Sequence, residues 1–408
     1  MPSVDVRTRA ASDVGPVDPA WLFGAELPRL ARERSSLVAE GARELAPPPL
    51  TVAVDGREWT LTFDDPLVRV TADPTSAAST YVRFDAEDLA DLVHDLRTPV
   101  GFFTGGDLDM PAGRLEDLLD WWVILRGLLD ARPVHVTGAV TFTGTDGEPL
   151  DLHRAFHVDD DPREMGHFLA EAGFLHLSRV FTEDEMQAVS ADMDEAAETY
   201  ERGDDRSWWA KTADGTDRLV RMQYIHRESP ATRALMADDR LLRLARLTRD
   251  GHELGKPGSN ANWVEALVKP IGVVEGISDV PWHKDCSLGS HSYRCCTLTV
   301  GISVTGADAR SGQLRVVAGS HRALIQPAFV RPGLDLPQLD LPTETGDLTV
   351  HLSCTLHMSQ PPVDRERRVL YTDFRLPSLD GQPDPGEAKL RRIRDGAPTT
   401  VNQPPAGA

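Results

Sequence analysis

The spacing of apolar and polar residues divides the chain into stretches of different period. Val52 and Val54 alternate with other residues, Asp55-Gly56 supplies a tight turn, and Trp59, Leu61 and Phe63 alternate again, which predicts a hairpin. Leu67, Val68 and Val70 predict a third strand. The period then changes from two to about 3.6. In FDAEDLADLVHDL, Asp85 is placed to cap a helix carrying Leu89, Leu92, Val93 and Leu96. In RLEDLLDWWVILRGLLD, a stripe of Leu115, Leu118, Leu119, Trp122, Leu125 and Leu129 predicts a long helix with one buried face. Before all of these, residues 1–45 form a polar, helix-prone extension that ends at Pro47-Pro48-Pro49.

The acidic, proline-containing stretch FHVDDDPREMG places a domain boundary near residue 160. Beyond it, EAGFLHLSRV reads as a short strand. Thr182 and Glu185 then form a capping box ahead of an amphipathic helix. From about residue 265 the chain is a run of short strands broken by Gly, Pro and Asp, as in a sandwich or jelly roll. No internal repeat, P-loop or dinucleotide fingerprint interrupts this order. The expected fold class is α+β: a C-terminal double-stranded β-helix (jelly roll) with flanking helices over 160–400, preceded by a smaller α+β domain over 46–155.

Composition narrows the function classes. A chain of 408 residues suggests two or three domains, and 40 % hydrophobic with 26 % charged residues is ordinary for a globular protein. The net charge of −21 repels phosphate backbones and anionic lipid, so neither nucleic acid nor membrane is expected as a partner. A small-molecule substrate is the expected partner, and a homodimer is left open. Cys286, Cys295, Cys296 and Cys354 show no CxxC spacing, which fits reduced thiols in a cytosol. The N-terminal stretch MPSVDVRTRAASDVG has no apolar core of the kind a signal peptide needs, so a cytoplasmic location is expected.

Three segments carry candidate chemistry. PWHKDCS contains His283-x-Asp285, GDLTVHLSCTLHMSQ contains His357, and DRERRVLYTDF contains Arg368. Iron(II) that must bind both O₂ and an organic acid needs three protein ligands on one face and three open positions. Strand residues i and i+2 share a side of the sheet, so His283 and Asp285 can supply two ligands and His357, from a distant strand, the third. A guanidinium can grip a planar carboxylate with two parallel hydrogen bonds, which suits Arg368 to the distal carboxylate of 2-oxoglutarate. Arg367 should point the opposite way, and Arg365 is a weaker candidate. His157-Val158-Asp159 repeats the H-x-D pattern in the acidic linker and is read as a decoy. His351 is read as a core residue.

Two resemblances follow from these motifs. Residues 165–378 resemble the phytanoyl-CoA dioxygenase family of 2-oxoglutarate oxygenases. GFLHLSRVFTEDEM is similar to its opening strand and helix, WHKD to its proximal ligand motif, SGQLRVVAGSHR to its NGxLxxxPGSH segment, and GDLTVHLSCTLHMS to its distal-ligand strand. Ser311 and Ala318 replace the usual Asn and Pro, Lys284 the frequent Gln, and Met358 the Gly of the family's HGS. The resemblance implies Fe(II), 2-oxoglutarate and O₂ as cofactors, His283, Asp285 and His357 as iron ligands, and Arg368 as the co-substrate anchor. It further implies co-substrate contacts from Thr297, Ser359 and Lys269. Because Asp285 is kept, it implies oxygen transfer rather than halogenation. Residues 45–140 resemble a sterol-carrier-protein-type lipid-binding domain, which implies an apolar tunnel.

The expected function is therefore a 2-oxoglutarate-dependent hydroxylase of a hydrophobic or carrier-bound small molecule, of the kind found in secondary metabolism. Desaturation, epoxidation or cyclisation would use the same residues. Two alternatives stand beside it. One is a lipid or small-molecule binding protein with an inactive jelly roll. The other is a cupin-type metalloenzyme that works without 2-oxoglutarate and needs no inward arginine.

Overall fold

A computed structural model describes residues 15–72, 79–95, 97–249, 251–254, 264–276, 280–288 and 297–375. Cys295, Cys296, Leu96 and the first fourteen residues lie outside the described residues.

The N-terminal half is built on a five-stranded sheet. Its strands are β1 (Leu50–Val54), β2 (Arg57–Asp64), β3 (Leu67–Thr71), β4 (Thr80–Phe84) and β5 (Asp109–Ala112), in the order β3-β2-β1-β4-β5. The β1–β2 hairpin closes with Val54 opposite Arg57, and Asp55 and Gly56 both take positive φ, the conformation its tight turn requires. Asp85 accepts from the Asp88 N–H and starts the helix Ala86–Val93. The helix Leu115–Asp130 is buried on most of its circumference rather than along one stripe, with Trp121 and Ile124 fully enclosed beside Leu119 and Trp122. Trp121 donates its indole N–H to the Pro48 carbonyl, so a ring enclosed in the core still satisfies its donor.

The helical segments from Pro19 to Leu45 are not a polar extension. Val17, Leu22, Phe23, Leu27, Leu30, Val38 and Ala42 are buried in one cluster with the sheet and the Leu115–Asp130 helix. Packing therefore runs unbroken across the expected boundary at residue 45. A cavity of about 50 Å³, lined by Leu22, Leu50, Val82, Leu92 and Trp122 among other apolar side chains, lies inside it. That is room for a small apolar group, far short of the tunnel the lipid-carrier resemblance implies.

The C-terminal half carries two further sheets. Its strands are β6 (Phe174–Leu177), β7 (Ser207–Thr212), β8 (Asp217–Met222), β9 (Glu253–Leu254), β10 (Val264–Lys269), β11 (Val273–Glu275) and β12 (Val280–His283). They continue with β13 (Thr297–Ser303), β14 (Leu314–Val317), β15 (Gln338–Leu341), β16 (Leu348–Leu352), β17 (His357–Ser359) and β18 (Arg367–Arg375). The large sheet runs β11-β7-β8-β10-β18-β13-β16-β6, with β9 also on β18, and the small one runs β12-β17-β14-β15. One face of the large sheet (Ala266, Leu298, Val300, Ile302, Val350, Leu370, Phe374) packs with Phe168, Leu169, Met186 and Val189 of the helices Pro162–Ala172 and Glu183–Ala197. The second helix opens with the expected capping box between Thr182 and Glu185. The opposite face of the large sheet brings its polar residues toward β12 and β17.

Candidate metal centre

His283 ends β12, Asp285 opens the short helical turn that follows, and His357 begins β17, directly opposite His283 in the antiparallel register. One ligand atom from each of the three lies within 4.8 Å of the others. His283 Nε2 is 3.2 Å and His357 Nε2 3.6 Å from Asp285 Oδ1. The other ring nitrogens are tied back to the chain, His283 Nδ1 to the Pro281 carbonyl at 2.7 Å and His357 Nδ1 to the Thr355 carbonyl at 2.9 Å. An Nδ1–H donated to a carbonyl leaves Nε2 bare and aimed at the cluster, as a ligating imidazole requires.

The electrostatics suit a cation. Burial alone would raise the Asp285 carboxyl, but His357, His283 and His351 outweigh it and hold the group well below the usual carboxylate range. Burial, reinforced by His351 and His283, pushes the His357 imidazole well below its ordinary value. The Asp285 carboxylate is thus held ionised between the two histidine rings. Lys284, between the two proximal residues, turns away, its backbone N–H meeting the Pro327 carbonyl and its ammonium the Ser320 carbonyl. Among the described residues no other group of three His, Cys, Asp or Glu side chains converges in this way, and His157-Val158-Asp159 does not.

The arginine assignment changes. Leu370 and Phe374 lie on the helix-packed face of β18, and Arg368 shares their parity. Its guanidinium bonds to Ser190 and pairs with Asp194 on the helix Glu183–Ala197, away from the metal ligands. Arg367 faces inward and is 4 % exposed. The sequence spacing did not reveal this because β18 pairs with β10 and β13, not with the His357 strand, so the intervening loop sets the parity. Arg367 bonds to the Gly312 carbonyl at 2.7 Å and reaches the Tyr371 hydroxyl at 3.4 Å. Its Nε is buried without a partner.

Lys269 on β10 is the cross-strand neighbour of Arg367 and is likewise buried. Its ammonium donates to Ser359 Oγ at 2.7 Å and to the Gln360 carbonyl at 2.5 Å. Lys269 and Ser359, two candidates from the family resemblance, therefore touch each other. Thr297 begins β13 and shares the inward parity, but the hydroxyl set against the metal ligands is that of Thr299, 3.1 Å from Asp285 Oδ2. His351, read from sequence as a core residue, also stands at the centre, with Nε2 3.4 Å from Asp285 Oδ2 and its ring 4.2 Å from that of His357. Its inward alternation on β16 with Thr349 was the available signal.

Two histidines and one carboxylate in this arrangement are a donor set that could hold a metal ion, and one that suits non-haem iron. The phytanoyl-CoA dioxygenase family model matches residues 169–369, just under half of the chain and the part that holds every residue of the site. Enzymes of that family use Fe(II), 2-oxoglutarate and O₂. Solved structures similar to this chain include EvdMO1 (23 % identity over 51 % of this chain and 48 % of that one, TM-score 0.40). They also include the α-ketoglutarate-dependent carbocyclase SnoK of nogalamycin biosynthesis (19 %, 62 % and 97 %, TM-score 0.41). EctD from S. alaskensis with bound Fe is a third (17 %, 53 % and 78 %, TM-score 0.43). The chain thus spans about half the length of EvdMO1. No curated protein matches its sequence. None of the described helices is long and apolar enough to cross a membrane.

Proposed function

We propose that this chain is an Fe(II)- and 2-oxoglutarate-dependent oxygenase, its two C-terminal sheets forming a double-stranded β-helix, with His283, Asp285 and His357 as the iron ligands. The observation that carries the reading is that the inner face joining this donor set also holds two adjacent buried cations, Lys269 and Arg367. Arg367 makes no ion pair among the described residues, and a buried guanidinium without an anion is costly. A dicarboxylate that chelates iron at one end and meets Arg367 and Lys269 at the other accounts for both features. A cupin-type metal centre working without 2-oxoglutarate leaves the buried Arg367 guanidinium unexplained.

In this reading Arg367, not Arg368, takes the distal carboxylate, Lys269 adds a second charge, and Ser359 fixes the Lys269 ammonium. Thr297 remains the candidate for a further hydroxyl on the co-substrate. Iron with 2-oxoglutarate and O₂ supplies the oxidising chemistry when bound. The chain's own residues fix the metal's open face and hold the co-substrate beside it. Retention of Asp285 favours oxygen transfer over halogenation, and hydroxylation is the simplest outcome.

A hydrophobic or carrier-bound small molecule is the proposed substrate. Support comes from the helix Pro99–Gly105 of the N-terminal half, which packs against the turn Asp285–Leu288 and carries the exposed Phe103. The test is an anaerobic titration of apoprotein with Fe(II) and 2-oxoglutarate, watching for the visible charge-transfer band of the chelate. A band in the wild type that is lost in His357→Ala supports the proposal. Folded wild-type protein that gives no band overturns it.

A further inference from the structure

We infer that His351 is a positioning residue that, with Thr299, grips the second oxygen of Asp285 and holds that carboxylate to single-oxygen coordination. The inference rests on the metal centre proposed above. His351 and Thr299 are directly opposite each other on β16 and β13, and their side chains meet Asp285 Oδ2 from the large sheet. Thr299 Oγ1 is 3.1 Å and His351 Nε2 3.4 Å from Oδ2, whereas His283 and His357 approach Oδ1. The two oxygens of one carboxylate are thus divided between two sets of partners.

His351 is 1 % exposed, its Nδ1 has no hydrogen-bond partner, and its Nε2 has only the 3.4 Å approach to Asp285 Oδ2. A buried imidazole in that state calls for an explanation. Two are available, since an imidazole can ligate a metal or donate to a ligand. Ligation fails on geometry and on count. His351 is not among the three residues whose ligand atoms converge within 4.8 Å. A fourth protein ligand would also take one of the three positions that 2-oxoglutarate and O₂ need between them.

Donation fits both observations. An Nε2–H brought onto Oδ2 from its 3.4 Å approach, beside the Thr299 hydroxyl, would occupy the lone pairs that otherwise turn Asp285 into a two-oxygen ligand and close a coordination position. Ser353 Oγ, 3.3 Å from Thr299 Oγ1, holds the threonine hydroxyl in place.

The test compares wild type with His351→Phe, His351→Gln and Thr299→Val. Apoprotein melting, Fe(II) affinity against a competing chelator and the 2-oxoglutarate band are each measured. His351→Phe should bind Fe(II) about 10- to 100-fold more weakly, the usual effect of removing an outer hydrogen bond to a metal ligand. Its apoprotein should melt no lower than wild type, because a buried ring with an unpartnered Nδ1 gives way to an apolar one. His351→Gln, which restores an N–H donor, should recover most of the affinity, and Thr299→Val should weaken it less than His351→Phe. Wild-type Fe(II) affinity in His351→Phe overturns the inference. So does a loss that His351→Gln does not repair, which would mark a ligand or a packing residue. Failure of the wider reading is seen separately, as wild type that binds Fe(II) but gives no band with 2-oxoglutarate.

Discussion

Replacing Arg367 and Arg368 one at a time separates two neighbours that the sequence ranks in favour of Arg368 and the structure places the other way round. Arg367 is buried beside Lys269, and its hydrogen bonds go to neutral oxygens. On the proposed reading, Arg367→Ala removes the charge-assisted bonds to the distal carboxylate, each contributing about 1.5–3 kcal/mol. Lys269 stays in place, so the loss is roughly 2–4 kcal/mol rather than the sum of the whole anion site, or about 30- to 700-fold in the dissociation constant. Arg368 pairs with Asp194, which is 67 % exposed, and such pairs contribute about 0–1 kcal/mol. Arg368→Ala should therefore leave 2-oxoglutarate binding unchanged and stability nearly so. The assay titrates 2-oxoglutarate into the anaerobic Fe(II) protein and reads the charge-transfer band, with Arg367→Lys alongside. Arg367→Lys should fall between wild type and Arg367→Ala, because an ammonium keeps the charge but not the two-pronged geometry. The reasoning is refuted if Arg368→Ala raises the co-substrate requirement tenfold or more (~1.4 kcal/mol) while Arg367→Ala binds as wild type does.

Burial pushes both His226 and His321 down to about 4 from an ordinary 6.5. The unfolded chain then binds more protons between those values, so their contribution is complete above pH 6.5 and is lost as the pH falls toward 4. Urea midpoints at pH 7 and pH 5 should differ less for His321→Gln than for wild type, and equal differences would contradict this account. Gly346 has φ of 86°, and a Cβ there would lie 2.0 Å from the Phe181 carbonyl oxygen. Gly346→Ala should cost more than about 2 kcal/mol, measured by chemical denaturation. Leu324 comes from the C-terminal half but is buried in the cluster of the N-terminal half. Leu324→Ala should cost about 2–5 kcal/mol and lower a single calorimetric transition as a whole, whereas two transitions of which one moves would show that the halves unfold independently.

Signals confined to a few residues were readable in the sequence. The Asp85 cap, the Thr182–Glu185 capping box and the Asp55-Gly56 hairpin all depend on interactions within one turn, and each forms where expected. His283, Asp285 and His357, singled out by residue type, are brought together by the fold. What failed depended on neighbours across the fold. The parity of Arg367 and Arg368 is fixed by which face of β18 meets the helices, a property of the sheet order. In the sequence His351 is like any other strand histidine, and only the β13–β16 pairing sets Thr299 opposite it. The segment before residue 45 looked polar because Arg, Glu, Asp and Ser are interspersed among its apolar residues. Yet Leu22, Phe23, Leu27 and Leu30 recur at spacings that bring them to one side of a helix, and that side is buried.

The N-terminal half bears on the metal centre through one segment of chain. Between Ser320 and Arg331, the Ser320 and Pro327 carbonyls receive the ammonium and backbone N–H of Lys284, which separates two of the proposed iron ligands. The same segment sends Leu324 into the N-terminal core, and Gln326 and Arg331 both bond to Asp120, buried on the Leu115–Asp130 helix. His135 adds a further tie, its backbone N–H meeting the Leu324 carbonyl and its ring the Asp335 carboxylate. Ligand geometry at an iron centre is set by the groups that hold the ligands. Here those groups are held in turn by a helix and a core that belong to the other half. The metal strand, the bridging segment and the N-terminal helix therefore form one mechanical unit. Cutting the chain near residue 160 would remove Asp120 and the pocket for Leu324, leaving a C-terminal half whose metal loop has lost its support.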